Sequence, residues 1–171
     1  IDAGATDIEV TVEDAGFALI RISDNGSGMH EHDLVTCVRR HATSKIRAVD
    51  DLERVTTLGF RGEALASIGA VCRMSIVSSN TQEGLGYEVQ FEDGAIAGPK
   101  PVQRLRGTTV SCRDLFYNVP ARKKFMKSRN AERMAVLRTL EQMVIPYPSV
   151  HFSVWIEGKK ALETPVVDSP R

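Results

Sequence analysis

The sequence predicts an α+β fold built in layers, on three observations. Runs that alternate apolar and polar residues recur along the chain, the signature of half-buried strands. One long run, Met134, Val136, Leu137, Leu140 and Val144, keeps helical spacing instead. Strands and helices also follow one another irregularly, which fits a layered α+β plan rather than repeated strand–helix–strand units. The 171 residues suffice for one domain with a real core.

Residues 1–5 read as the tail of a helix, with Gly4 near its C-cap. Ile8, Val10 and Val12 then alternate with Asp7, Glu9, Thr11 and Glu13 on a first strand. After a turn at Asp14, Ala15 and Gly16, a second strand carries Ala18, Ile20 and Ile22, with Phe17 and Leu19 opposite, so it is expected to be buried on both faces. The two strands form a hairpin that delivers Asp24 to a sheet end, where ligands are often bound. Residues 30–41 read as a helix with Leu34, Val35 and Val38 on one face, and Asp50 or Asp51 caps a short helix running to about Val55. Met74, Ile76 and Val77 begin a strand that runs to about Ser79, and Tyr87, Val89 and Phe91 alternate on the next. Glu92, Asp93 and Gly94 turn into another strand, after which Pro99 and Pro101 mark a sheet edge or an exit from it. Gly107, Thr108, Thr109 and Val110 open one more. The helix over residues 131–144 stops before Pro146 and Pro148. Phe152, Val154 and Ile156 alternate, residues 157–159 turn, and a last strand ends near Thr164, leaving 165–171 as a Pro-flanked linker.

Twenty-two basic residues balance 22 acidic ones, so no global field draws in DNA or membrane, and any such binding is local. No apolar run approaches the ~18–20 residues of a membrane span. Cys37, Cys72 and Cys112 have no metal-like spacing and read as reduced thiols of a cytoplasmic protein. His30 and His32 are two apart and do not share a helix face, so with His41 they read as solvated or capping side chains and no metal site is assigned.

Chemistry concentrates in a few short stretches. Asp24, Asn25, Gly26, Ser27, Gly28 and Met29 lie between a strand and a helix. Gly26 and Gly28 let the backbone turn sharply and let something flat approach it. An ionised carboxylate only accepts hydrogen bonds, so Asp24 suits a ligand edge that donates, such as the exocyclic amine of adenine. An ordinary Asp-Asn-Gly turn is the competing reading. Thr43, Ser44 and Lys45 offer hydroxyls and an ammonium to phosphate oxygens, or else make a plain inter-helix loop. Gly59, Phe60, Arg61, Gly62, Glu63, Ala64 and Leu65 start a helix, whose unpaired N–H groups and partial positive charge attract anions. Glu63 there favours the helix dipole but repels a phosphate, so its side chain must turn away or be paired. Thr108 is placed to assist Asp24, its hydroxyl donating to that carboxylate and accepting from a ring-bound water, or else is a β-branched residue that fills a strand. Arg122, Lys123, Lys124, Lys127, Arg129, Arg133 and Arg138, opposed only by Glu132, form the one strong basic cluster, read either as DNA-phosphate contacts (the first four) or as a solvated helix face.

The blocks at Asp24–Met29, at Thr57 to Ile68 (Gly-Phe-Arg-Gly-Glu-Ala-Leu at its centre) and at Gly107–Val110 resemble those of the GHKL ATPases: gyrase B, the heat-shock-90 chaperones, histidine kinases and MutL. The Gly-Phe-Arg-Gly-Glu-Ala-Leu block, Ala42-Thr43-Ser44-Lys45, and the run from Asp114 to Arg122 narrow the resemblance to the MutL family of DNA mismatch repair ATPases. The resemblance covers residues 2 to about 164. It implies a two-layer α/β sandwich of the Bergerat type, one mixed sheet with helices on one face. It implies ATP bound through Asp24, Gly26, Gly28, Thr108, the Thr43–Lys45 segment and the Gly59–Leu65 loop, with residues 29–59 as a lid whose closure drives dimerisation.

In that family the water-orienting glutamate and the Mg²⁺-ligating asparagine lie on a helix that would precede Ile1. The domain is therefore expected at 1–164 without its first helix, and the 171 residues alone are expected to turn over ATP negligibly. The resemblance further implies a MutS-type mismatch sensor, a downstream nuclease or helicase, DNA and a second copy as partners of the intact protein, and a cytoplasmic, nucleoid-associated location in a bacterium. Two rivals are another GHKL ATPase and a DNA-binding scaffold that no longer handles nucleotide.

Overall fold

The computed structural model describes residues 1–39 and 62–166. Its strands are β1 (Asp7–Glu13), β2 (Leu19–Asp24), β3 (Arg73–Ser79), β4 (Leu85–Glu92), β5 (Ala95–Gln103), β6 (Gly107–Arg113), β7 (His151–Ile156) and β8 (Lys159–Glu163). Its helices are α1 (Glu31–Thr36), α2 (Ala64–Gly69), α3 (Pro120–Lys124) and α4 (Arg129–Val144). The strands form one sheet in the order β5-β4-β3-β6-β2-β1-β7-β8. Only β1 and β7 run parallel; the other neighbours are antiparallel, so the sheet is mixed. The edge strand β5 carries Pro99 and Pro101, which have no N–H to offer another strand.

Register explains the layering. Val89, Ile76, Val110, Ile22, Val10, Val154 and Leu162 are successive Cα partners from β4 across to β8, so their side chains share one face. Over one half of that face lies α4, whose Val136, Leu137, Leu140 and Val144 pack on Ile8, Val10, Val12, Phe152, Val154 and Ile156. Over the other half, Leu34 of α1, the following Val38, and Leu65 of α2 pack with Met74, Ile76, Val89, Val110 and Cys112. Helices on one face of a mixed sheet are what the sequence led us to expect.

Several local expectations need correction. Phe17 and Leu19 are buried, but Ile22 is 43% exposed although it stands in the middle of the apolar row. The two core clusters are separate, and no described helix covers β2 between them, so this strand is not buried on both faces. The helix expected over 30–41 is the short α1; Val38 lies just beyond it and is still buried. α4 starts at Arg129 because the Ser128 hydroxyl accepts the Ala131 N–H (3.3 Å), an N-cap that a search for apolar spacing does not see. Met134, counted on its apolar face, is 49% exposed. Residues 1–5 form a single turn, with the Gly4 N–H donating to the Ile1 carbonyl (2.8 Å) and Gly4 left-handed. The helix expected after Asp50 or Asp51 lies outside the described residues.

Ile76 and Ile22 make a matched pair in one row, one fully buried and one half exposed. Ile76→Ala is expected to cost about 2–5 kcal/mol in urea unfolding, and Ile22→Ala less than half as much. Equal losses would mean that the gap over β2 is closed in solution.

Candidate functional site

Asp24 is the last residue of β2, two beyond Ile22, so its side chain belongs to the helix-bearing face at the end of the gap. In the next row toward the sheet end, Ile8, Asp24, Thr108 and Ser78 are successive partners on β1, β2, β6 and β3. Asp24 Oδ1 accepts the Gly26 N–H (2.8 Å), a turn that fixes the carboxylate's orientation. Behind it, Arg104 donates from Nη2 to the Asp24 carbonyl (3.2 Å) and from Nε to the Gly107 carbonyl (3.3 Å). Burial pulls the Arg104 guanidinium below its ordinary pKa, while the negative charge of Asp24 acts in the opposite direction.

The loop after Asp24 is held from three sides. Asn25 Oδ1 accepts the N–H groups of Thr6 (2.9 Å) and Asp7 (3.0 Å), and its Nδ2 donates to the Thr6 hydroxyl (2.9 Å). The Ser27 N–H donates to the Ala3 carbonyl (2.9 Å). The Met29 N–H donates to Ser78 Oγ (2.9 Å). Gly28 is left-handed (φ 68°), and a Cβ there would overlap the Ser79 carbonyl. A Cβ on Gly26 would lie 2.7 Å from that of Ala3. The glycines were expected to admit a ligand; in the structure the space of their missing Cβ atoms is taken by Ser79 and Ala3. Their smallness first lets the loop dock on the sheet end.

Thr108 stands opposite Asp24, but its hydroxyl shares a hydrogen bond with Ser78 Oγ (2.9 Å), not the bond to the carboxylate that was expected. Gly62, Glu63, Ala64 and Leu65 lead into α2; exposed Glu63 occupies its N-cap position without a side-chain cap bond. Leu65 and Met29 pack on the same core cluster, which brings α2 and the Asp24 loop to one side of the sheet. At its other end α2 is braced by the run after Asp114. The Phe116 N–H donates to the Val71 carbonyl (2.7 Å), and Asn118 Nδ2 to the Ala70 carbonyl (3.1 Å). The Tyr117 hydroxyl donates to Asp93 (2.6 Å), which raises its pKa. Thr43, Ser44, Lys45, Gly59, Phe60 and Arg61 lie outside the described residues.

The basic cluster does not join this site. Arg113 pairs with Arg73 at the sheet end away from Asp24, and the chain leaves that end into α3. Arg122, Lys123, Lys124 and Lys127 are exposed there, around a Phe125 that is 88% exposed. Arg129 is committed to Asp14 (3.0 Å) and lies over the Phe17 ring (3.7 Å). The three cysteines meet in the cluster beneath α1 and α2, where burial pushes the Cys37 thiol up to about 11, so it stays protonated at neutral pH. Sequence reasoning missed Ser78 and Arg104. Neither carries a local signal, because both matter only through partners on other strands.

Residues 1–116 match the family of histidine kinase-, DNA gyrase B-, and HSP90-like ATPases. The DNA mismatch repair protein MutL of Neisseria meningitidis serogroup C (strain 053442) is 43% identical over 165 residues, which are 96% of this chain and 25% of that protein. MutL of Lactococcus lactis subsp. cremoris (strain SK11) is 44% identical over 164 residues, again 96% and 25%. The chain thus spans about a quarter of the length of these relatives. The Aquifex aeolicus MutL ATPase domain complexed with ADP superposes with a TM-score of 0.74 at 34% identity, covering 98% of this chain and 59% of that one. The N-terminal domain of a DNA repair protein gives a TM-score of 0.78 at 31% identity, covering 96% and 48%.

If the loop docks through Gly28, Gly28→Ala should cost about 2–4 kcal/mol in urea unfolding, the strain of a left-handed alanine plus the clash. Gly84→Ala, at φ 84° with open space around it, should cost about 1 kcal/mol. Indistinguishable losses would remove the docking contact.

Proposed function

The chain belongs to the histidine kinase-, DNA gyrase B- and HSP90-like ATPases, and on that premise we propose that it is the ATP-binding part of a MutL-type DNA mismatch repair protein. The observation that carries the reading is the placement of Asp24: a carboxylate oriented by its own turn, at the end of an open apolar gap whose floor is Ile22. A flat base entering that gap meets Ile22 below and an acceptor at its edge. Adenine offers an amine to Asp24; guanine would offer a carbonyl oxygen, and two facing acceptors cost roughly 1–3 kcal/mol. Thr108 sits next in the row as the second polar group.

Gly26 and Gly28 shape the loop that borders base and sugar. Thr43, Ser44, Lys45 and the stretch Gly59–Leu65 hold the phosphates, and closure of residues 29–59 as a lid over the nucleotide is the switch that favours dimerisation. Support for these assignments is the motif resemblance, and support for nucleotide as the ligand is the ADP complex of the similar Aquifex domain. Nucleotide binding is assigned to these residues, and ATP hydrolysis to the intact protein. Its mismatch sensor, its nuclease or helicase and its cytoplasmic, nucleoid-associated location follow from the same resemblance.

A second contact is favoured by the surface around α3, where exposed Phe125 stands among Arg122, Lys123, Lys124 and Lys127. Cations beside an unpaired aromatic suit a nucleic-acid backbone and its bases. This is an additional surface of the same protein, at the far sheet end.

Calorimetric titration with a non-hydrolysable ATP analogue tests the nucleotide reading. Asp24→Asn keeps an acceptor for the Gly26 N–H but turns a donor toward the base. The chain is expected to bind the analogue, and the variant to bind it at least about tenfold more weakly, a charged hydrogen bond being worth roughly 1.5–3 kcal/mol. No heat of binding, or an unchanged variant, would contradict it.

A further inference from the structure

Arg104 stands in the segment that carries the chain from β5 past β4 and β3 to β6. Its own N–H donates to the Gly84 carbonyl (2.9 Å), which seats it beside the start of β4. Its half-buried side chain ends on two carbonyl oxygens, Nη2 on that of Asp24 (3.2 Å) and Nε on that of Gly107 (3.3 Å). These two nitrogens share one edge of a planar group whose N–H directions are fixed. Two carbonyls bound by that edge are kept at one spacing.

Both carbonyls matter to the site. The first belongs to the peptide after Asp24, so it sets the direction in which the chain leaves for Gly26, whose N–H orients the carboxylate (2.8 Å). The N–H of that same peptide, on Asn25, donates to the Asp7 carbonyl (3.3 Å), so the peptide is held from both sides. The second carbonyl belongs to the peptide before Thr108, the partner of Asp24 on β6. Ser78 Oγ also donates to it (3.1 Å), so both of its lone pairs are used. A Cβ on Gly107 would overlap the Asp24 carbonyl, so the two peptides lie in close contact under the guanidinium.

We propose that Arg104 is a positioning residue of the base pocket: its guanidinium edge fixes the spacing and orientation of Asp24 and Thr108, and so sets how sharply the pocket separates adenine from 6-oxopurines. The assignment rests on the nucleotide reading of Asp24. It differs from a packing role or a charge role in what it changes. Loss of packing weakens every nucleotide alike. Lysine keeps the charge, but its compact ammonium on a flexible stem has no rigid fork to hold two carbonyls at a set spacing.

The test is the ratio of affinities for ADP and inosine diphosphate, measured by calorimetry on the full chain. The inosine base presents a carbonyl oxygen where adenine presents its amine, so the unmodified chain is expected to prefer ADP. Arg104→Lys should lower that preference about tenfold, the lower end of what one charged hydrogen bond is worth. Arg106→Lys, the same change on an exposed neighbour, should leave it as it was. In an Asp24→Asn background Arg104→Lys should change the ratio no further, because it acts through that side chain. Should Arg104→Lys not fold, Arg104→Gln serves instead: its single amide cannot span both carbonyls, and the ratio should fall likewise. An unchanged ratio in the folded variant, an equal weakening of both ligands, or an effect that adds to that of Asp24→Asn would make Arg104 structural only and overturn the assignment. If the unmodified chain binds neither ligand, or binds both alike, the nucleotide reading of Asp24 fails and this assignment with it.

Discussion

A carboxylate can choose between two bases only if it stays still, and a loop with two glycines in three residues does not hold itself still. The anchoring of the Asp24–Met29 loop across the sheet end is therefore the constraint on which the rest depends. Three neighbours share it. Asn25 grips the chain at Thr6 and Asp7, Gly28 nests against the Ser79 carbonyl, and Met29 hangs from Ser78. Each hydrogen bond contributes only about 1 kcal/mol net, but leaving the buried Ser78 hydroxyl unpaired would cost more. The order of strands makes this possible, because β2 and β3 flank β6 and bring residues more than fifty positions apart into one row.

The second feature is a deficit. An apolar row crosses the sheet, yet the described helices cover it in two separate patches, over β1 and β7 and over β3 and β4. The strip between them leaves Ile22 open to solvent. An exposed isoleucine in the centre of a sheet face is costly unless something apolar covers it, and a purine ring or a further helix would both do so. The polar row beyond Ile22 then meets whatever enters. The cationic surface of α3 sits at the other end of the sheet from Asp24, in a chain whose net charge is +0.

How far the sequence disclosed this varied with the kind of signal. Period-two alternation located the strands to within a residue or two, because a sheet with one buried face imposes that pattern directly. The parallel pairing of β7 beside β1, with Asp7 opposite His151, was not legible, since nothing local records which strand docks on which. Asp24 was legible because its whole motif is contiguous. Ser78 was not, because its importance arises from Met29 and Thr108 at distances of 49 and 30 residues along the chain. Ile22 was misread for a related reason: its apolar character signalled burial, whereas its exposure depends on where two distant helices stop. The glycines were read as room for a ligand, and the structure gives that room first to Ser79 and Ala3.

The central claim is that the anchored acid and the rows around it form a nucleotide cleft. The most direct measurement is the change in backbone amide NMR shifts on adding ADP to the full chain. The account places the large shifts at 24–29, 62–66 and 107–109, with the Ser78 amide among them. Shifts confined to α3 and α4, or to the surface formed by Val77, Gln103, Leu105 and Arg106, would contradict it.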